Sequence, residues 1–265
     1  FQDIPGIGLA AQGTQDPWYA NYARMATDSN MLTALKNTGI MMLGTVVFQV
    51  GIALLLALLT DFIHRGAQFF RTVYFFPIVI SATALGLLFN IIFLYDKGLI
   101  NQLLETLGRE GALVDWKSGK LAIFTMMLPV MWQYVGFYFV IIVTGLNSID
   151  SELYEAAAID GATGFQRVFK VTLPLLKGVL TTCVVLAITG ALKVFDLPWV
   201  MFPNGIPLNG TWLTGTYMYY QTISLRDADY GSAIAVLIVC LGVLVSVVVN
   251  TLSKRLGREG KGAAK

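Results

Sequence analysis

The segment 155–176 reads EAAAIDGATGFQRVFKVTLPLL and is polar and charged, although a long apolar stretch lies on each side of it. This placement predicts a loop between two membrane spans. The pattern also predicts local order. Asp150 can cap a short helix over residues 151–159, which contains three alanines, and Gly161 then ends this helix.

A second short helix is expected to follow the first. Thr163 and Gln166 stand three residues apart, which is the spacing of a capping box at a helix start. Pro174 suits the first turn of the next long helix, because proline is tolerated there. The segment therefore predicts a helix-turn-helix that stands off the membrane, and its alanines and glycine allow another molecule to approach closely.

The composition indicates a membrane protein. Hydrophobic residues make up 56% of the chain and charged residues 13%, against about 25% charged residues in a soluble domain. The net charge of +2 is too small to indicate nucleic-acid binding. Cys183 and Cys240 lack the spacing of a metal or redox site, and no Walker A, HExxH or Gly-x-Ser-x-Gly motif occurs. We therefore expect neither a metal site nor catalytic chemistry in this chain.

Long uncharged stretches mark the candidate membrane spans. Lys36 and Asp61 enclose 24 uncharged residues, and runs of 24, 29 and 24 occur further along. A helix needs about 20 residues to cross the hydrocarbon core. A run of 15 between Lys177 and Lys193 is included because apolar residues resume after it. The predicted spans are residues 37–60, 72–95, 121–146, 174–195 and 231–252, after an outer polar segment over residues 1–36.

The predicted fold class is all-α, a polytopic membrane helical bundle with five spans in residues 37–265. Its orientation follows from the basic residues, which are in excess in cytoplasmic loops. With residues 147–173 inside, the inner segments hold ten Lys and Arg and the outer segments hold seven. Five spans then place the start of the chain outside. We expect a first span upstream of Phe1, which would make six or more in the full protein.

Several motifs resemble those of a known family. Glu-Ala-Ala (155–157), Gly161 and Val-Thr-Leu-Pro (171–174) resemble the EAA motif of ATP-binding-cassette (ABC) importer permeases. The longer run Tyr-Glu-Ala-Ala-x-x-Asp-Gly-Ala (154–162) resembles the carbohydrate-uptake, maltose-permease-like branch of the binding-protein-dependent permeases. One departure is Asp150, where that family often has proline.

The resemblance implies that residues 147–173, here called the EAA loop, are cytoplasmic and dock on a separate ATPase subunit. Glu155 and Arg167 are expected to make charge-assisted contacts to this partner or across the turn. The residues implied in coupling are Glu155, Ala156, Ala157, Asp160, Gly161, Arg167, Leu173 and Pro174.

The resemblance also implies further partners. They are a second homologous permease, an extracytoplasmic solute-binding protein, a sugar substrate and membrane lipid, around a multi-pass chain in a prokaryotic inner (cytoplasmic) membrane. The chain would be a transport subunit and not an enzyme. It would bind no cofactor, because ATP and magnesium belong to the ATPase subunits.

Polar and aromatic side chains within the predicted spans are candidates for a substrate pathway. Aromatic faces stack on sugars and amides bond to hydroxyls, as in other solute pockets, although helix packing explains each side chain as well. Lys193 is the charge that lies well inside the apolar pattern, and it is expected to pair with Asp196 or to reach the outer interface. The candidates are Asn90, Trp132, Gln133, Tyr134, Lys193 and Asp196.

An outer loop over residues 196–230 contains a cluster of aromatic residues. We expect residues 211–223 to form an amphipathic helix at the outer surface. This helix would form an interfacial aromatic belt or a surface that meets the solute-binding protein.

Three functions remain open on the sequence. The favoured one is the membrane subunit of an ATP-driven sugar importer that works by alternating access. A permease for another solute, such as glycerol phosphate, would have the same fold. A secondary transporter without an ATPase would need acidic residues within the spans for ion coupling, and the uncharged runs leave little room for them.

Overall fold

The computed structural model describes residues 2–3, 13–14, 17–61, 67–108 and 113–262. Helices dominate these ranges. The one sheet in them is a two-residue antiparallel pairing of β1 (Gln2–Asp3) with β2 (Gly13–Thr14). The predicted all-α fold class is confirmed.

Long apolar helices alternate with short connecting ones. The helices are α1 (Ala20–Thr27), α2 (Ser29–Gly44), α3 (Gly51–Asp61), α4 (Ala67–Val79), α5 (Ala82–Ile92), α6 (Leu99–Thr106), α7 (Leu121–Asn147), α8 (Ser151–Ile159), α9 (Gly164–Arg167), α10 (Leu173–Leu192), α11 (Asp196–Met201), α12 (Thr214–Tyr219) and α13 (Ala228–Gly262). π-Helical segments occupy Thr45–Val50, Val168–Thr172 and Tyr220–Ser224, and a 3₁₀ turn occupies Pro203–Gly205.

Four helical runs among the described residues are long and apolar enough to cross a membrane. They are Ser29–Thr60, Leu121–Asn147, Gly164–Met201 and Ala228–Ser253. The helices α4 and α5 qualify as a fifth span only when they are taken together as a pair. They are bent by 93° at the break between them.

The bend corrects the prediction of one continuous span over residues 72–95. The helix stops because Ser81 takes an extended conformation, with φ −54° and ψ 133°, before α5 begins. Pro77 lies inside α4, where it removes one backbone hydrogen bond. The count of uncharged residues between Arg71 and Asp96 showed that a span was possible. It could not show that these residues form two helices.

The predicted boundary between residues 36 and 37 falls inside a continuous helix. The helix begins at Ser29, where the Asp28 carboxylate accepts a hydrogen bond from the backbone N–H of Asn30 at 2.9 Å. An N-terminal cap of this kind satisfies an amide that the helix leaves unpaired. The outer polar segment therefore includes the first turns of the helix that continues into the predicted span 37–60.

The residues separate into two compact units. The first contains Phe1–Leu43, Ile80–Val130 and Gly190–Val243, and the second contains Gly44–Val79, Met131–Thr189 and Leu244–Lys265.

The first unit has a core of aromatic and methionine side chains. Trp212, Tyr217 and Tyr230 are buried there together with Met25 and Met31. This burial overturns the prediction of a surface helix over residues 211–223. The helix forms only from Thr214, and the aromatic rings fill the core because their neighbours on α2 and α13 are apolar.

The second unit is held by close helix crossings. A methyl group at Gly136 would overlap the backbone carbonyl of Tyr74, so α7 and α4 touch there without a side chain between them. Phe139 and Leu176 are among the fully buried residues around this crossing and the neighbouring one of α7 with α10. Small residues allow helices to approach in this way inside membranes.

Candidate functional site

The first helix of the EAA loop begins at the predicted cap. The Asp150 carboxylate accepts a hydrogen bond from the N–H of Glu152 at 3.1 Å, and α8 then runs over Ser151–Ile159. The negative charge of Glu152 in the first turn also suits the positive end of the helix dipole. The predicted start and length of this helix are confirmed.

Gly161 ends α8 in a left-handed conformation, with φ 72°. The N–H of Ala162 donates to the Ala157 carbonyl at 2.9 Å, and the N–H of Gly161 donates to the Ala158 carbonyl at 3.0 Å. These two hydrogen bonds are those of a Schellman motif, which needs a left-handed residue that is usually glycine. A Cβ at Gly161 would meet no atom of the described residues within 4 Å. The glycine is therefore required by the backbone, and the space beside it is open.

The second helix begins with the predicted capping box. The Gln166 side chain accepts from the N–H of Thr163 at 2.9 Å, and the Thr163 hydroxyl accepts from the N–H of Gln166 at 3.3 Å. Two backbone amides at the turn are satisfied in this way. Together with the Schellman motif, the box makes a closed and ordered turn between α8 and α9.

Pro174 lies in the first turn of α10, as predicted, but this helix is continuous with the segments before it. The backbone is helical from Gly164 onward, through a π segment over Val168–Thr172 and into α10. Proline has no N–H and its ring presses on the carbonyl four residues before it. The wider π turn ends immediately before this strained position, with the N–H of Leu173 donating to the Val168 carbonyl. The EAA loop is thus continuous with a membrane-spanning helix.

Two interactions connect α8 to α9 and to the π segment that follows it. The Arg167 guanidinium lies over the Tyr154 ring, with 5.0 Å from its Cζ to the ring centroid. The Thr172 hydroxyl lies 3.4 Å from the Tyr154 hydroxyl. Arg167 and Tyr154 are half-buried and Thr172 is buried. The predicted contact of Arg167 across the turn is therefore made to Tyr154, since Glu155 is exposed and forms no ion pair with any residue in the described ranges.

The other predicted coupling residues differ in exposure. Glu155, Ala156, Asp160, Gly161 and Pro174 are exposed, whereas Ala157 and Leu173 are half-buried.

Exposed apolar side chains surround the turn of the EAA loop. Ile159 is 87% exposed, Phe165 is 73% exposed and Phe169 is 54% exposed. The two phenylalanine rings lie 4.4 Å apart between centroids. We call these three residues the apolar tip. The sequence pattern places Phe165 and Phe169 on one side of the second helix, at i, i+4 spacing, but the predicted coupling residues do not include any of the three.

Asn90, which was predicted to line the substrate pathway, forms hydrogen bonds to other residues of the first unit. Its Nδ2 donates to the Val200 carbonyl at 3.1 Å, and its Oδ1 accepts from the Lys117 ammonium. Asn90 thus connects α5 to α11 and to the loop before α7. Both polar groups of its side chain are occupied within the first unit.

The predicted ion pair of Lys193 with Asp196 does not form. Both side chains are exposed, and the ion pair found among the described residues is Arg24 with Asp227. The reason is that α10 ends at Leu192, so the helical i, i+3 spacing is lost before Asp196. These two residues lie beyond the end of α10 and not within it.

Three predicted pathway residues are consecutive on α7 and face different directions. Gln133 is 4% exposed, whereas Trp132 is 44% exposed and Tyr134 is 38% exposed. Successive residues of an α-helix point about 100° apart, so these three do not form one wall. Gln49, in the π segment Thr45–Val50, is a buried polar residue that the charge-based search for spans did not consider.

A polar cluster within the first unit ties α1 and the start of α2 to α12 and the start of α13. Asp28 accepts hydrogen bonds from the Tyr217 hydroxyl at 2.5 Å and the Tyr230 hydroxyl at 2.8 Å. Arg24 forms its 2.7 Å ion pair with Asp227 and lies over the Tyr230 ring. Nothing in the local sequence signals these contacts, because the paired residues are about 190 to 200 positions apart.

The electrostatics of this cluster follow from its hydrogen bonds. Burial alone would raise the pKa of the Asp28 carboxyl, but hydrogen bonds from the two tyrosines and from backbone amides outweigh burial and hold this pKa below its ordinary value. Burial and the same Asp28 contact raise the pKa of Tyr217. Asp28 therefore stays charged and Tyr217 neutral at neutral pH.

Comparison with known proteins places these features in a family. Residues 49–258 match the model of the binding-protein-dependent transport system inner membrane component. The probable ABC transporter permease YurN of Bacillus subtilis is 32% identical over 244 residues, which cover 91% of this chain and 82% of that protein. The arabinooligosaccharides transport system permease AraP of Halalkalibacterium halodurans is 33% identical over 86% of this chain and 72% of its own length.

Two further comparisons agree with this assignment. The sulfoquinovosyl glycerol transport system permease SmoG of Agrobacterium fabrum is 33% identical over 87% of this chain and 74% of its own length. A bacterial alginate ABC transporter, solved in complex with an alginate pentasaccharide-bound periplasmic protein, has a chain that matches the fold with a TM-score of 0.81 at 20% identity. That match covers 90% of this chain and 83% of the other. The chain therefore belongs to the inner membrane components of binding-protein-dependent transport systems, which are ABC permeases.

Proposed function

We propose that the chain is the membrane-spanning subunit of an ATP-driven importer that takes up a sugar or short oligosaccharide delivered by a solute-binding protein. The sugar class is supported by relatives whose names give arabinooligosaccharides and sulfoquinovosyl glycerol as solutes. The periplasmic protein in the alginate transporter complex supports a solute-binding partner. A second permease subunit completes the proposed pathway.

The single observation that carries the proposal is the construction of the EAA loop. Its two helices are capped at Asp150 and Thr163 and joined by the Gly161 turn, so the loop has a defined shape. Its apolar tip is exposed on an otherwise polar segment. Exposed apolar groups of this kind mark sites of protein interaction. We infer that a separate ATPase subunit covers the tip.

Small and charged residues would complete the contact. Ala156 and Gly161 are exposed and bear little or no side chain, so the partner backbone can approach them closely. The exposed carboxylate of Glu155 is available for a charge-assisted hydrogen bond at the rim of the contact. Arg167 contributes indirectly, because it is directed at Tyr154.

Coupling would proceed through rigid bodies. When two ATPase subunits close on ATP, they displace the two EAA loops that they hold. The loop continues without a break from Gly164 into α10, so its displacement tilts that span and changes the side of the membrane to which the pathway opens. The chain itself supplies no catalytic group in this scheme, and ATP and magnesium are held by the partner.

Two of the predicted pathway residues remain available for substrate. Trp132 and Tyr134 are partly exposed on α7 and offer aromatic faces for stacking on a sugar. Asn90, by contrast, is proposed to act as a connection within the first unit. Lys193 and Asp196 are proposed to meet solute or solvent beyond the end of α10.

Purification and transport test the proposal. The chain should be expressed with its genomic neighbours, purified, and reconstituted into vesicles with the binding protein and labelled mono- and oligosaccharides. We expect an ATPase and a second permease to co-purify and uptake to require ATP. Uptake that persists without any ATPase subunit would overturn the proposal.

The apolar tip provides a sharper version of this test. Phe165→Ala should reduce the amount of ATPase that co-purifies, because burial of a phenylalanine side chain contributes about 2 kcal/mol. Leu107→Ala is the matched control, since Leu107 is 74% exposed in an outer segment. Equal ATPase recovery with both variants would argue against docking at the tip.

A further inference from the structure

Tyr154 occupies an unusual position in the EAA loop. It immediately precedes the exposed Glu155, yet its side chain turns inward and is half-buried. Its ring lies under the Arg167 guanidinium, and its hydroxyl lies 3.4 Å from the Thr172 hydroxyl. The residue therefore contacts both the second helix of the loop and the π segment that leads into α10.

The turn at residues 160–163 connects α8 to α9 through its backbone and capping hydrogen bonds. That turn is ordered, but it lies at the far tip of the loop. Tyr154 joins α8 to α9 and the π segment nearer to α10, where the hydroxyl of the buried Thr172 also donates to the Arg167 carbonyl at 3.4 Å. The helices α8 and α9 are thus connected at two separate places, the turn and Tyr154. Two connections restrict hinge motion between the helices more than one does.

We propose that Tyr154 is a positioning residue that makes the EAA loop and α10 move as one body, so that displacement of α8 by the partner reaches the membrane span. This inference rests on the proposed coupling to an ATPase. Arg167 and Thr172 act through Tyr154, and none of the three belongs to the surface that docks on the partner. Loss of the Tyr154 contact should therefore uncouple transport from hydrolysis without releasing the ATPase.

The test uses the assembled complex with its binding protein in vesicles. Three quantities are measured for each variant: the ATPase that co-purifies, the rate of ATP hydrolysis and the rate of sugar uptake. Tyr154→Leu removes the ring contact, and we expect uptake per ATP to fall roughly five-fold, as loss of one cation–π contact would produce. Tyr154→Phe keeps the ring and should restore most of the ratio.

Tyr95→Leu is the matched control, because Tyr95 is an exposed tyrosine in an outer segment. It should leave uptake per ATP at the wild-type value. A Tyr154→Leu complex with normal uptake per ATP would overturn the inference. A general folding defect would instead lower the yield of all subunits together and would not be rescued selectively by phenylalanine.

A double-mutant cycle separates this role from direct docking. If Tyr154 and Arg167 act through their mutual contact, Tyr154→Leu combined with Arg167→Gln should lower uptake per ATP no further than the stronger single variant. Multiplied effects would mean that the two residues act independently, which contradicts the inference. If the wild-type chain binds no ATPase, the proposed function itself fails, and this outcome is distinct from either result of the cycle.

Discussion

At the residue scale, Gly161 shows how one backbone angle shapes the site. Its φ of 72° closes the Schellman motif at the end of α8, and no atom in the part of the chain that the structure describes fills the space beside it. A residue with a Cβ costs about 1–2 kcal/mol in this conformation, although asparagine is tolerated better than most. The backbone thus requires a residue that adopts a positive φ at position 161, whereas a docking partner would require that the residue has no side chain.

Substitutions at Gly161 distinguish the requirement of the backbone from the requirement of the docking partner. If only the backbone matters, Gly161→Asn should retain more uptake than Gly161→Val, because asparagine adopts the left-handed conformation more readily. If the partner approaches the open space, both variants should lose uptake to a similar extent. Thermal unfolding of the complex and uptake in vesicles, measured side by side, give the answer.

Asp28 leads to a prediction about pH at the same scale. Its pKa is lowered in the folded protein from the ordinary value of 3.8. A lowered carboxyl pKa stabilises the fold above the unfolded-state pKa, and this stabilisation is lost as the pH falls through the folded-state value. Between pH 5 and 8 the contribution of Asp28 should therefore be constant.

Asp28→Asn tests this prediction. The variant keeps the shape but weakens the charge-assisted hydrogen bonds from Tyr217 and Tyr230, at a cost of about 1–2 kcal/mol. The gap in Tm between wild type and variant should be steady from pH 5 to 8 and should narrow below about pH 4. A gap that instead widens in acid would contradict the assigned direction of the pKa shift.

At the element scale, helix crossings depend on a few small residues. The crossing of α7 with α4 brings the backbone of Gly136 against the Tyr74 carbonyl. Any Cβ at this position meets backbone, which cannot rotate away as a side chain can. A side chain at Gly136 therefore destabilises the fold, because α4 and α7 must move apart to make room for it.

Gly136→Ala should therefore reduce the yield of folded protein markedly. Gly178→Ala is the control, because a Cβ at Gly178 in α10 meets no atom within 4 Å among the residues that the structure describes, and alanine favours helix by about 1 kcal/mol. Size-exclusion profiles of the two variants in detergent provide the comparison. Equal monodispersity and yield would show that the crossing can relax.

At the scale of the whole molecule, polar contacts join parts of the chain that are far apart in sequence. The Asn37 amide donates to the carbonyls of Gly210 and Trp212 at 2.8 and 2.9 Å. Asn37 is 6% exposed, so water cannot replace it easily. One side chain on α2 thus holds the segment that leads into α12.

Asn37→Leu preserves the size of the side chain and leaves both carbonyls without this donor. A buried polar group that loses its partner costs about 1–3 kcal/mol, so the Tm of the purified complex should fall by several degrees. The matched control is Asn30→Leu at a half-buried position in the first turn of the same helix. Similar Tm values for the two variants would show that the amide contributes little.

Features that depend on near neighbours and on composition could be predicted from the sequence. Asp150, Gly161, Thr163 and Gln166 act on backbone groups within a few residues, so their order along the chain is sufficient to predict the caps and the turn of the EAA loop. The apolar content of the spans likewise predicts a helical membrane protein, because a bilayer admits few other structures.

The side chains that meet across the chain could be identified only from the folded structure. In that structure Trp212 and Tyr217 are buried where a surface helix was predicted, and Ser81 separates α4 from α5. The Arg167 guanidinium lies over the Tyr154 ring. Such contacts depend on the rotation and register of helices relative to one another. A count of charges and apolar residues carries no information on those two quantities, whereas packing selects one value of each.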